Sequence, residues 1–176
     1  YRSLLVARKA DGGKALADFR GRRVACNSPD SQSGYNVLLK MVAPLSRDGR
    51  FFSAVAFSGS HRQSLRELQQ GTADIAAIDC VSWALLQRHQ PEALAGLAVI
   101  AHSPLAPGLP LITSATTSAA TLGLLREALQ QLVSDERYRP LCEALFICGY
   151  SDMRRADYQP LLAWRDEAAA RGVVRL

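Results

Sequence analysis

Three short stretches carry side chains able to do chemistry. Ser31-Gln32-Ser33-Gly34-Tyr35 supplies hydroxyls and a glycine, Ser58-Gly59-Ser60-His61 supplies two more hydroxyls and an imidazole, and Asp79 supplies a carboxylate. Hydroxyls and unpaired amide N–H groups at a helix start sit at the positive end of the helix dipole, which suits a small oxyanion. Gly34 allows close approach of the backbone, placing the amides of Gly34 and Tyr35 within reach of a ligand. His61 can donate as a neutral imidazole and more strongly when protonated, and a bound oxyanion would raise its pKa. Asp79 accepts from a P–OH or an amine but repels a fully deprotonated anion such as sulfate. Plainer roles compete with each of these. Ser and Asp are favoured N-caps, so all three stretches can also be read as helix starts and nothing more.

Other chemistries find little footing. There is no GxSxG elbow, no GxxxxGK[ST] loop and no GxGxxG turn. Ser60, His61 and Asp79 contain the residue types of a hydrolase triad, but a Ser adjacent to its His rarely reaches attack geometry. Cys26, Cys80, Cys142 and Cys148 form no CxxC and have no His at ligand spacing, so neither a metal site nor a cofactor is expected. Cys26 and Cys80 fall at the ends of buried strands, where Cys serves as a small apolar residue, and mostly free thiols are expected.

The elements that must position these groups follow from pattern. Strands are expected at 2–8, 23–27, 53–57, 74–79 and 97–101, with a further short one at Leu111-Ile112-Thr113. Helices are expected at about 33–43, from His61 to Gln70 with Gly71 as the stop, and from Cys80 through Arg88. Residues 23–101 therefore alternate strand and helix, the signature of an α/β unit with a mostly parallel sheet and helices on both faces. Ligands of such sheets bind beyond the C-terminal strand ends, which is where 28–35, 58–61 and 79–83 fall. Tyr35 and Trp83 could wall such a cleft. After the proline-rich Ser103–Pro110 the chain turns helical, with Leu122, Leu125, Leu129 and Leu132 at helix spacing and further helices near Arg137 and Tyr158.

With 48% hydrophobic and 21% charged residues in 176, the chain can build a core. No apolar run reaches membrane-spanning length. The net charge of +5 is uneven: residues up to Arg88 carry 13 Lys/Arg against 7 Asp/Glu, the remainder 8 against 9. These basic residues are scattered and lack interleaved aromatics, so no nucleic acid or DNA partner is expected, while small anions are attracted. The first six residues show no leader pattern, as a mature exported chain or an excised domain would also lack one.

Taken in order, several segments resemble the phosphate/phosphonate/phosphite-binding proteins of ABC transporters, periplasmic proteins of the two-lobed type II solute-binding fold. They are Tyr1-Arg2-Ser3, Ala17-Asp18-Phe19-Arg20-Gly21-Arg22-Arg23-Val24-Ala25, Ser31-Gln32-Ser33-Gly34-Tyr35, Phe57-Ser58-Gly59-Ser60-His61, Ala73-Asp74-Ile75-Ala76-Ala77-Ile78-Asp79, Ser103–Pro110 and Ala156-Asp157-Tyr158. The resemblance implies capture of a small oxyanion in an interlobe cleft, without catalysis, and a transporter permease as partner. It places the anion-gripping cluster on Ser31, Gln32 and Ser33 and the site histidine on His61. The acidic residues that hold a ligand amine in phosphonate binders are replaced here by Val81 and Leu109, which speaks against an aminophosphonate. It also implies that residues 10–101 form lobe two. Residues 1–9 and 102–176 would be the crossing strands and the helical part of lobe one, whose N-terminal sheet segment is absent and whose open side offers a route to self-association. A ligand-sensing input domain with the same fold is the alternative function.

Overall fold

The computed structural model describes all 176 residues. Five strands form one sheet in the order β3-β2-β4-β1-β5, namely β1 (Ser3–Arg8), β2 (Arg23–Cys26), β3 (Ala54–Phe57), β4 (Ile75–Asp79) and β5 (Leu97–His102). β2 pairs in parallel with β3 and β4, whereas β1 runs antiparallel to both β4 and β5. The sheet is thus mixed, with the three strands that precede the candidate turns all parallel.

Alternation along the strands sends side chains to two faces. Leu5, Ala7, Val24, Cys26, Ile75 and Ala77 pack with Val37, Leu38 and Val42 of α1 (Val37–Val42) and with Trp164 of α6 (Gln159–Ala170). Leu4, Val6, Ala25, Ala76 and Ile78 form the opposite face against Leu65 and Leu68 of α2 (His61–Gln70), with Trp83 and Leu86 of α3 (Cys80–His89) at its margin. Helix α2 stops at Gly71, whose φ of 73° is the left-handed geometry that glycine adopts without strain.

The division of the chain differs from the 10–101 lobe expected from sequence. One compact unit comprises Tyr1–Pro107 and Tyr158–Leu176, the other Gly108–Asp157. β1 is hydrogen-bonded on both sides inside the sheet, and α6 packs on α1 with Lys40 paired to Glu167, so both belong to the first unit. In the second unit α4 (Ala119–Ser134) forms over the leucines at helix spacing, and α5 (Arg139–Ala144) begins close to the expected Arg137. Cys142 is its sole buried residue, because two helices by themselves cannot enclose a core. Leu111-Ile112-Thr113 is extended and exposed and pairs with no strand.

The end of the sheet opposite the candidate turns is held by charge. Asp74, 6% exposed, accepts hydrogen bonds from Arg8 Nη2 at 2.7 Å and from the Arg23 backbone N–H, Nε and Nη2 at 3.0, 3.0 and 2.9 Å. Those donors, Arg23 foremost and then Arg8, hold its carboxyl well below the usual carboxylate range despite burial. A depressed folded pKa means that the contribution is present above the unfolded value of about 4 and is lost as pH falls below it. Asp74→Ala is expected to lower unfolding free energy by about 2–4 kcal/mol at pH 7. The deficit should shrink below about pH 4, measured as urea midpoints across pH.

Candidate functional site

Beyond Cys26 the chain turns through Ser28–Asp30 into Gln32–Asn36, which is a π-helical segment rather than the first turn of an α-helix. The Asn36 N–H donates to the Ser31 carbonyl at 2.9 Å, five residues back, and α1 continues from Val37. Such widened turns are uncommon inside helices and recur at functional sites. Ser31 is the N-cap, its Oγ accepting from the Gly34 N–H at 2.9 Å, while the Tyr35 N–H donates to the Ser31 carbonyl at 3.1 Å. The amides expected to be open at Gly34 and Tyr35 are therefore occupied within the turn. The amides of Gln32 and Ser33, one step earlier, are the first-turn donors without an acceptor.

Ser33 is the hydroxyl brought into chemical company. Its Oγ lies 3.0 Å from His61 Nε2, and His61 Nε2 lies 3.4 Å from Asp79 Oδ2. The imidazole is largely buried, and burial holds its pKa below the ordinary histidine value, with the Asp79 carboxylate and the Ala77 carbonyl pulling the other way. A ring proton on Nε2 is favoured by the Asp79 carboxylate 3.4 Å away, and Nδ1 makes no hydrogen bond of normal geometry. A His buried neutral disfavours the folded state in acid. Its penalty is absent above about pH 6.5, the unfolded pKa, and grows as pH falls below that. His61→Gln should flatten this part of the stability profile between about pH 6.5 and 5, read by thermal melting.

Asp79 serves in two ways at once. Its Oδ1 accepts from the Val81 and Ser82 N–H groups at 3.0 and 2.8 Å and so caps α3, while Oδ2 faces His61. The helix-start reading of this residue is the one that Oδ1 fulfils. Ser33, His61 and Asp79 do not form a proton relay, because the hydroxyl and the carboxylate address the same ring nitrogen and Nδ1 has no partner.

The remaining expected residues are committed to the scaffold. Ser60 Oγ caps α2 by accepting from the Gln63 N–H at 3.1 Å, and does not contact the His61 ring. Ser58 Oγ is spent on the Cys26 and Ser60 carbonyls and on Ser64 Oγ at 2.7 Å. Gln32 Oε1 accepts from Asn36 Nδ2. The Tyr35 ring, half-buried, packs on Phe57 with centroids 6.0 Å apart, and its hydroxyl accepts from the Leu176 N–H, so it lines the side facing β3 and the C-terminus. Trp83 likewise packs on the α2 side of the sheet.

Sequence reasoning missed Tyr1 and Asn27 as site neighbours. Burial pushes the Tyr1 hydroxyl up to about 12, opposed by a hydrogen bond from Ser33 and reinforced by Asp79 and Cys80. It therefore stays a neutral donor beside Ser33. The signal was β1's antiparallel place beside β4, with Ser3 opposite Asp79, which pattern along the chain does not reveal. All four cysteines are free, and burial pushes the Cys26 thiol up to about 12, as suits an apolar filler. No group of His, Cys, Asp and Glu forms a metal-binding cluster. A cavity of about 450 Å³ lies against β3 and residues 172–176; it reaches Tyr35 but none of Ser31, Ser33, His61 or Asp79.

A family model described as ABC transporter, phosphonate, periplasmic substrate-binding protein matches residues 1–158. No curated protein sequence matches. Among solved structures, PhnD1 from Prochlorococcus marinus in complex with methylphosphonate is similar at 13% identity and a TM-score of 0.76, covering 96% of this chain and 66% of its own. A binding-protein component of an ABC phosphonate transporter from Pseudomonas aeruginosa is 22% identical over 98% of this chain and 68% of its own, with a TM-score of 0.63. The periplasmic aliphatic sulphonate binding protein SsuA from Escherichia coli is 15% identical with a TM-score of 0.59, covering 98% of this chain and 61% of its own. The chain thus spans about two thirds of the length of the structures it matches. At these identities the structures establish the type II periplasmic-binding fold, and the family model establishes the lineage. The chain belongs to the phosphonate-type periplasmic substrate-binding proteins of ABC transporters.

Proposed function

We propose that this protein is the solute-binding component of an ABC transporter and captures a small phosphorus oxyanion, phosphonate-, phosphite- or phosphate-like, without altering it. The observation that carries this reading is the Ser33–His61–Asp79 cluster beyond the parallel strands β2 and β4, beside the open amides of Gln32 and Ser33. The amides and the Ser33, Ser31 and Tyr1 hydroxyls donate to anionic oxygens, and His61 adds a donor that strengthens on protonation. Asp79 requires a hydrogen on the ligand side, which suits a monoprotonated phosphonate and penalises sulfate.

Family membership supports an extracytoplasmic location and a permease partner; no helix is long and apolar enough to cross a membrane. Calorimetric titration of the full-length protein with methylphosphonate, phosphite, phosphate and sulfate tests the reading. Binding of at least one phosphorus oxyanion, with sulfate weaker by tenfold or more (about 1.4 kcal/mol), is the expected result. Absence of binding by all four sinks it, and sulfate binding as tightly as phosphate removes the role given to Asp79.

A further inference from the structure

Asn27 lies one residue past β2, between the two turns that carry Ser33 and His61. Its backbone carbonyl accepts from the Gly59 N–H at 3.0 Å, tying it to the turn that leads into α2. Its side chain reaches the other way. A Cβ placed on Gly34 would fall 1.9 Å from Asn27 Oδ1, 3.0 Å from its Cγ and 3.2 Å from Ser31 Oγ. No carbon can occupy that space, so the carboxamide rests directly on the Gly34 Cα–H, a contact of the weak C–H···O kind. Asn27 Oδ1 is buried and has no conventional hydrogen-bond partner. A buried amide oxygen left unsatisfied is costly, and such a cost is tolerated where the group has another task.

We propose that Asn27 is a positioning residue: its carboxamide, seated on Gly34, and its backbone carbonyl, held by the Gly59 N–H, together set the distance between the Ser33 turn and the His61 turn. The link to ligand affinity rests on the oxyanion-binding reading above; the link to the Ser33–His61 geometry does not. Gly34 is required because the brace needs the space of its missing Cβ, rather than for backbone conformation, since Gly34 is not among the glycines with positive φ. An Ala at 34 would have to push the carboxamide and Ser31 Oγ aside together, disturbing the cap and the brace in one step.

The test uses the full chain in four forms: wild type, Asn27→Ala, Gly34→Ala and the Asn27→Gly/Gly34→Ala double variant. The pH titration of the His61 ring protons by NMR, without added anion, reports the Ser33–His61–Asp79 geometry, and melting temperature reports folding. Asn27→Ala is expected to stay folded, to shift the His61 titration midpoint by about half a unit and to weaken methylphosphonate or phosphate about tenfold. Gly34→Ala should be worse on every readout. The double variant, which opens room for the new Cβ, should recover melting temperature and the His61 midpoint relative to Gly34→Ala alone. An unchanged His61 midpoint in Asn27→Ala, or a double variant no better than Gly34→Ala, overturns the proposal. If the wild type binds neither anion, the function proposal fails, and titration and melting still decide this one.

Discussion

Ser33→Ala is expected to reduce affinity for the bound oxyanion by about 30-fold or more, corresponding to loss of a hydrogen bond to a charged group worth about 2 kcal/mol. The hydroxyl sits 3.0 Å from His61 Nε2, close enough to the Tyr1 hydroxyl to influence it, and one residue from the open Gln32 amide. Its removal takes away one donor and leaves His61 Nε2 with Asp79 alone, so the imidazole turns from the ligand toward the carboxylate. Stability should change little, because Ser33 neither caps the turn nor packs in either hydrophobic cluster. Calorimetry set beside thermal melting separates the two effects. A variant that binds like wild type would place the ligand elsewhere, and one that unfolds would make Ser33 a scaffold residue. Ser60→Ala is the control, since its hydroxyl only caps α2, and it should cost about 1 kcal/mol of stability while leaving affinity unchanged.

Asp79→Ala is expected to produce the largest stability loss of the site residues, about 2–4 kcal/mol from the lost cap and two orphaned amides. The carboxylate is 6% exposed, holds the Val81 and Ser82 N–H groups, and is the charge that pulls the His61 pKa upward. Asp79→Asn separates these roles. An Asn caps a helix about as well as an Asp, so most stability should survive. The upward pull on His61 disappears, so its pKa should fall further below the ordinary value, visible by NMR titration. The repulsion of unprotonated anions is also removed, so the Asn variant should narrow the gap between sulfate and phosphate. Equal stability loss in the Ala and Asn variants would show that the charge, not the cap, holds α3. An unmoved His61 would show that burial alone sets its pKa.

Composition and periodicity located nearly every element of the sheet unit because its strands are short, apolar and separated by helix stops that act locally. The helix from His61 to Gln70 ending at Gly71 coincides with the residues read from pattern, and β4, Ile75–Asp79, falls within the expected 74–79. Local signals also marked Ser31, Ser33, His61 and Asp79 as helix-start residues, since capping depends on side chains within three positions of the backbone they serve. Which of those hydroxyls faces the imidazole was not legible. Ser33 and His61 are 28 residues apart and meet because β2, which leads into the Ser33 turn, pairs with β3, which leads into the His61 turn. The π turn was also hidden, because it exchanges one hydrogen bond for another without altering the apolar spacing.

Sequence by itself determined the chemical inventory, the α/β alternation and the strand ends at which a ligand would sit, all of which follow from residue type and short-range spacing. Tertiary structure alone decided that β1 enters the sheet antiparallel and brings Tyr1 to Ser33, and that α6 closes on α1. It also decided that Ser58, Ser60 and Tyr35 serve the scaffold while Asn27 and Gly34 share one space. Those outcomes depend on contacts between residues tens to more than a hundred positions apart, whose geometry is set by packing rather than by any local pattern.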